Sequence, residues 1–125
     1  MSHFQPDGWH TVTPRIVVST PQGLIEFLST VFGAQGEHHA GRPAEMRIGD
    51  SVIIISDGGG VRDSMPGFLY VYVEDVDAVY QRAIDAGAES LEAPTDLPYG
   101  DRRSMVKDSW GNLWQIATRI VKSRT

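Results

Sequence analysis

Apolar and polar positions along this chain follow two rhythms, one of strand period and one of helix period, and the pair occurs twice. Arg15-Ile-Val-Val-Ser-Thr20 is a β-branched run that predicts a strand. Thr20-Pro21 then reads as a helix N-cap followed by proline at the first helical position. Leu24, Phe27, Leu28, Val31 and Phe32 return at helical spacing as one apolar face, and Gly33 stops the helix in the C′ position. Further on, residues 68–73 predict a second strand and Asp75 a second N-cap. Val76, Val79, Tyr80, Ala83 and Ile84 repeat the helical face, and Gly87 ends it. Phe32-Gly-Ala-Gln35 recurs as Ala86-Gly-Ala-Glu89, 54 positions on, while Val18 and Val73 stand 55 apart.

Three shorter strands are expected after each helix, at 35–39, 44–48 and 51–56 in the first half and at 89–93, 103–107 and 113–118 in the second. Gly49-Asp50 and Gly111-Asn112 supply matching turns into the last strand of each half. Each half thus reads β-α-β-β-β, with module one at about 9–57 and module two at about 67–121. Asp57-Gly-Gly-Gly60 and Met65-Pro-Gly67 serve as the linker. One helix covers only one face of a small sheet, so two modules must pair, within a chain or between chains, to complete a core. The expected class is α+β, as a single domain over 1–125.

Composition removes several function classes. The formal charge of −5 lacks the clustered basic excess that a nucleic-acid surface needs. With no cysteine, the chain has no disulfide scaffold, thiolate zinc site or cysteine nucleophile. The amino-terminal stretch is polar, and the longest strongly apolar stretch, Val52 to Ile55, is far too short to cross a bilayer. A cytoplasmic protein without nucleic-acid or membrane partners is the expectation. No nucleophile-elbow pattern surrounds a serine, and the glycines after Asp57 lack the lysine and helix start of a phosphate loop.

Several segments carry a family likeness. Gly8-Trp-His-Thr-Val-Thr-Pro14, Glu74-Asp-Val-Asp-Ala78, Tyr99-Gly-Asp-Arg-Arg103 and Asp108-Ser-Trp-Gly-Asn-Leu-Trp-Gln-Ile-Ala-Thr118, set on paired β-α-β-β-β modules, resemble the glyoxalase / bleomycin-resistance / extradiol-dioxygenase group, the vicinal oxygen chelate superfamily. The likeness is nearest to its PhnB-like branch and covers nearly the whole chain, with Ser109 standing where proline is usual. It implies two modules forming a curved mixed sheet with a concave ligand cup. In metal-dependent members the ligands come from the first and last strand of each module, which map to Thr13, Ile53, Phe68 and Gln115. A hydroxyl, two apolar side chains and a neutral amide cannot hold a divalent cation, so no metal and no cofactor are expected. A non-standard metal site would have to draw on His10, His38, His39 or Glu45, and adjacent His38 and His39 point to opposite faces of a strand.

Strand parity then assigns the cup. Phe68, Tyr70 and Tyr72 face it, opposite Leu69, Val71 and Val73 on the helix side. By the same alternation Thr13, Arg15 and Val17 face it from the first strand, Ser51, Ile53 and Ile55 from the last strand of module one, and Leu113, Gln115 and Ala117 from that of module two. Trp114 falls to the core, whereas Trp110 sits in a turn where it either caps the sheet edge or rims the cup. Of Arg102 and Arg103 at most one enters the cup, taken as Arg103, and the other pairs with Asp101 or lies at the surface. An apolar, aromatic lining with few polar groups suits an organic molecule bound by shape and stacking. The reading is metal-independent binding of a small organic ligand, planar or aromatic and antibiotic-like, for sequestration or carriage by a homodimer. Its rivals are a lyase, isomerase or antibiotic-modifying enzyme of the same superfamily, and an interaction module whose aromatic face fills itself or dimerises.

Overall fold

The apolar runs form seven strands and the two helical repeats form two helices in the computed structural model, which describes residues 4–57 and 64–121. In chain order these are β1 (Arg15–Val18), α1 (Pro21–Phe32), β2 (Ala44–Ile48), β3 (Ser51–Asp57), β4 (Phe68–Tyr72), α2 (Val76–Asp85), β5 (Glu89–Asp96), β6 (Asp101–Lys107) and β7 (Leu113–Arg119). They make two mixed sheets of three and four strands, and the chain divides into two compact units between Met65 and Pro66. Residues 58–60 of the expected linker lie outside the described residues.

In the first unit the strand order is β1-β3-β2, with β1 parallel and β2 antiparallel to β3. Leu24, Ile25, Leu28 and Val31 of α1 are buried, as are Ile16, Val18, Ala44, Met46, Ile53 and Ile55. The register puts all six of these strand residues on one face, because Ile16 and Ala44 both pair with Ile55 and Met46 pairs with Ile53. Pro21 opens α1 without a side-chain cap from Thr20, and Gly33, at φ 66°, closes it. The expected strand at 35–39 is absent. Gln35 bridges Arg47 and His39 bridges Arg42, but Glu37 and His38 are polar and exposed, so pairing them would bury nothing.

The same register corrects one face. Ser51, Ile53 and Ile55 lie on the α1 side, and Ile54, paired with Arg15 and Glu45, lies on the other. The cause is loop length. Gly49-Asp50 is a two-residue hairpin, since Ile48 pairs with Ser51, whereas Lys107 pairs with Leu113 across five residues. Aligning Gly49 with Gly111 therefore slips the strand by one residue, and a slip of one turns every side chain to the opposite face.

The second unit has the full β-α-β-β-β pattern, with strand order β4-β7-β6-β5, β4 parallel to β7 and the other pairs antiparallel. Trp114, Ile116, Val106 and Ser104 are fully buried on one face, with Val76, Val79 and Ala83 of α2 also buried. Three polar ties fix α2. Asp75 accepts from the Ala78 N–H at 3.1 Å, and Thr118 Oγ1 accepts from the Val76 N–H and donates to the Val73 carbonyl, both at 2.9 Å. Arg102 grips Asp77 with two nitrogens, at 3.0 and 3.1 Å, and reaches Asp96 at 2.9 Å. Its partner is thus not Asp101, from which strand alternation turns it away.

The closing segment folds around one carboxylate. Asp108, 4% exposed, accepts from the backbone N–H groups of Trp110 and Asn112 at 2.9 Å, and from Asn112 Nδ2 and Trp114 Nε1 at 2.8 Å. Asn112 Oδ1 in turn accepts from the Gly67 N–H at 2.7 Å, tying the loop to the entry of β4. Four donors on one buried acid let the indole of Trp114 enter the core with its N–H satisfied. Replacing Asp108 by alanine strands these donors, so Asp108→Ala is expected to lower unfolding free energy by about 3 kcal/mol or more, read from denaturant midpoints. A loss under about 1 kcal/mol would mean that the loop holds without its carboxylate.

Candidate functional site

With α2 covering one face of the second sheet, the other face is left to polar chemistry and solvent. Phe68, Tyr70 and Tyr72 alternate onto it from β4 and are 63%, 38% and 53% exposed. Gln115 pairs with Tyr70, Ala117 with Tyr72 and Arg103, and Leu113 with Phe68, so these residues share that face. The rings of Tyr70 and Tyr72 lie 5.3 Å apart at 53°, a tilted pair.

Beneath the rings sits Asp101, fully buried. Its Oδ2 accepts from the hydroxyls of Tyr70 at 2.6 Å and Tyr72 at 2.7 Å, and its Oδ1 accepts from Arg119 Nη1 at 2.9 Å. Arg119 also donates to the Tyr99 carbonyl at 2.7 Å. Burial pushes the Asp101 carboxyl up, but the hydrogen bonds from Tyr70, Tyr72 and Arg119 outweigh it and hold the acid below its ordinary range. Burial and the bond to Asp101, with a smaller contribution from Tyr99, push the Tyr70 phenol well above its ordinary value. A phenol has one hydrogen, and Tyr70 gives it to Asp101. In the 3.1 Å contact between the Tyr70 and Tyr99 hydroxyls the donor is therefore Tyr99. Arg103 Nη1 donates to Tyr99 at 3.2 Å, so the bonds run in one direction, from Arg103 through Tyr99 and Tyr70 to Asp101. Arg103 Nη2 pairs with Glu92 at 3.1 Å, while its Nε–H is buried and, among the described residues, the one buried side-chain polar atom without a partner.

The expected site residues divide between the units. Phe68, Tyr70, Tyr72, Arg103 and Gln115 come together on this face. Trp110 is half-buried in the loop that Asp108 organises. Thr13, Arg15 and Ile53 belong to the first unit. There Thr13 donates to the His10 carbonyl at 3.4 Å, Arg15 Nε donates to Ser56 Oγ at 3.2 Å, and Ile53 is buried on the α1 side. Strand parity missed Asp101, Arg119, Tyr99 and Glu92. The first two had a signal, since Asp101 shares parity with Arg103, and Arg119 with Gln115 and Ala117.

The four positions that metal-binding relatives would use do not fit a cation. Thr13, Phe68 and Gln115 offer a hydroxyl, a ring and a neutral amide, and the register puts Ile54 where Ile53 was expected. Among the described residues no group of three or more His, Asp or Glu side chains is placed to hold a metal ion. In the same residues no helix is long and apolar enough to cross a membrane.

A family model for the Glyoxalase/Bleomycin resistance protein/Dioxygenase superfamily matches residues 8–116. An uncharacterized protein of Mycobacterium bovis is 29% identical over 126 residues, covering 87% of this chain and 83% of that protein. A glyoxalase/bleomycin resistance protein/dioxygenase family enzyme from Burkholderia phytofirmans PsJN superposes with a TM-score of 0.73 at 19% identity, over 90% of this chain and 97% of that one. The fosfomycin resistance protein FosX from Mesorhizobium loti gives 0.66 at 19% identity, over 87% and 91%. Likeness at such identities speaks for the fold alone.

The depressed Asp101 carboxyl has a measurable consequence. Its folded-state pKa lies below the unfolded value of about 3.9, so its contribution to stability is complete above that pH and fades as pH falls through the folded value. Asp101→Asn should therefore be less stable than the parent by a constant amount from pH 5 to 8, with the gap closing below about pH 4. Denaturant midpoints of both proteins across that range test this, and a gap that persists unchanged at low pH would contradict it.

Proposed function

The chain belongs to the Glyoxalase/Bleomycin resistance protein/Dioxygenase superfamily, and within it we propose that this protein binds a small planar or aromatic organic molecule, without a metal, on the tyrosine face of its second unit. The observation that carries the reading is the buried Asp101 holding Tyr70 and Tyr72 by their hydroxyls, so that exposed rings are oriented before any ligand arrives. Fixed rings lose little freedom on binding, which is where stacking gains affinity. The same network argues against proton transfer. An acid held below its ordinary range is a weak base, and a phenol pushed above its own is a weak acid. Binding without turnover, as in sequestration or carriage, is what such a face serves. An antibiotic-like ligand is in keeping with a family named in part for bleomycin resistance and with the structural likeness to FosX, a fosfomycin resistance protein. We place the chain nearest the PhnB-like branch on its opening and closing motifs, and read it as a cytoplasmic homodimer.

The test is a paired measurement of binding and stability. A panel of planar aromatic compounds, bleomycin included, is titrated in the presence of EDTA, with non-aromatic fosfomycin alongside. Phe68→Ala removes a ring that is already 63% exposed, so it should lower stability by less than about 1 kcal/mol while weakening the best aromatic binder at least about tenfold. Val71→Ala, on the α2 side, should do the reverse. Binding that EDTA abolishes, or that Phe68→Ala leaves intact, would remove this reading.

Assembly is tested separately. β4 stands at the edge of its sheet with Phe68 and Tyr72 exposed, an arrangement that pairing of two copies would protect. Light scattering is expected to give twice the chain mass at micromolar concentration. A monomer mass across a wide concentration range would exclude the homodimer.

A further inference from the structure

We propose that the first unit carries a second binding site, a cleft for a small zwitterion bearing an ammonium and a carboxylate, the pattern of a free amino acid. The cleft has a volume of about 290 Å³ and is lined by Trp9, Gln35, Gly36, Glu45, Arg47 and Val52. That volume is at the lower edge of the range of about 300–1,000 Å³ that holds drug-sized ligands, so its occupant is small.

The lining is set by register. Arg47 pairs with Val52 on one side and bridges Gln35 on the other, which puts the three side chains in a row on one face. Glu45, two residues before Arg47 on β2, shares that face. At Gly36 (φ 149°) a side chain would run into the Glu45 carbonyl and the Met46 sulfur, so bare backbone forms that part of the wall.

The charges decide the ligand. Arg47 Nη1 turns to the Gly8 carbonyl at 3.3 Å and makes no ion pair with Glu45, whose carboxylate has no hydrogen bond or ion pair among the described residues. A cation and an anion therefore line one cleft without neutralising each other. Two residues of strand separate their Cα atoms by about 6.6 Å, and their charged ends make no ion pair with each other, so one molecule that carries both opposite charges can engage each of them. Arg47 takes the carboxylate in charge-assisted hydrogen bonds and Glu45 takes the ammonium. The Trp9 ring and Val52 supply apolar surface for the remainder, and the Gln35 amide offers one more donor and acceptor. No residue of this cleft belongs to the tyrosine face, so a substitution in one leaves the residues of the other in place.

The experiment titrates the full chain with glycine, leucine and phenylalanine, and with 4-methylpentanoate and isopentylamine, which each keep one of leucine's charges. Backbone and indole N–H shifts are followed in nitrogen-labelled protein. At least one amino acid is expected to saturate, with shifts centred on residues 9, 35–36, 45–47 and 52. Both single-charge analogues should bind at least about tenfold more weakly than leucine. Glu45→Gln and Arg47→Gln should each weaken the amino acid about tenfold, and Glu45→Gln, at an exposed position, should leave the melting temperature unchanged. Phe68→Ala should leave this binding unaffected. No saturable shift with any of the three amino acids, shifts centred elsewhere, or equal binding of a single-charge analogue would each overturn the proposal.

Discussion

Each sheet in this protein has one helix, and one helix can cover only one face. Everything else in the architecture follows from that shortage. The covered faces collect the apolar residues, Trp114, Ile116 and Val106 in the second unit and Ile16, Met46, Ile53 and Ile55 in the first. The uncovered faces cannot be apolar throughout without exposing grease to water, and cannot bury charge without partners. Both units meet this constraint with polar side chains set among apolar ones, but with different chemistry. The second builds a closed network around Asp101, and the first leaves Glu45 and Arg47 apart.

Two buried aspartates organise the second unit, one on each kind of surface. Asp108 satisfies backbone and indole donors so that a loop can close over the core, and its task is complete within the chain. Asp101 satisfies phenols and a guanidinium whose ring faces and stems remain open to solvent. The first is architecture, and the second holds the groups on which recognition depends. Sequence motif alone does not separate them, since both acids lie in segments that carry the family likeness.

Much of this was legible in the order of residues. The β-α-β-β-β order of the second unit, the strand-helix opening of the first, the exposed side of β4, the burial of Trp114 and the placement of Gln115 and Tyr70 on one face follow from period-two and period-3.6 patterns, which are local. What failed was whatever depended on counting across a loop or pairing across strands. Matching a hairpin of two residues to a loop of five puts Ile53 on the face that Ile54 occupies. The segment 35–39 forms no strand because Glu37 and His38 bring nothing to bury. In the sequence Asp101 shows only as one of two fates for a neighbouring arginine, an ion pair or the surface, because its phenol partners lie about thirty positions away and no local pattern encodes that meeting.

The one-way run of hydrogen bonds on the tyrosine face limits what it can offer a visitor. Tyr70, Tyr72 and Tyr99 each have a single hydroxyl hydrogen, and all three are committed along the path to Asp101. What the phenols turn outward is lone-pair density and the electron-rich faces of their rings. The tyrosines therefore behave as a bank of acceptors although they are built from hydroxyl groups. A molecule that carries only carbonyl or ether oxygens receives no hydrogen from the three phenols, whereas one that presents its own N–H or O–H, or a positively polarised ring edge, meets matching polarity at them. The polarity of the three tyrosines is thus written by a carboxylate that no ligand needs to touch.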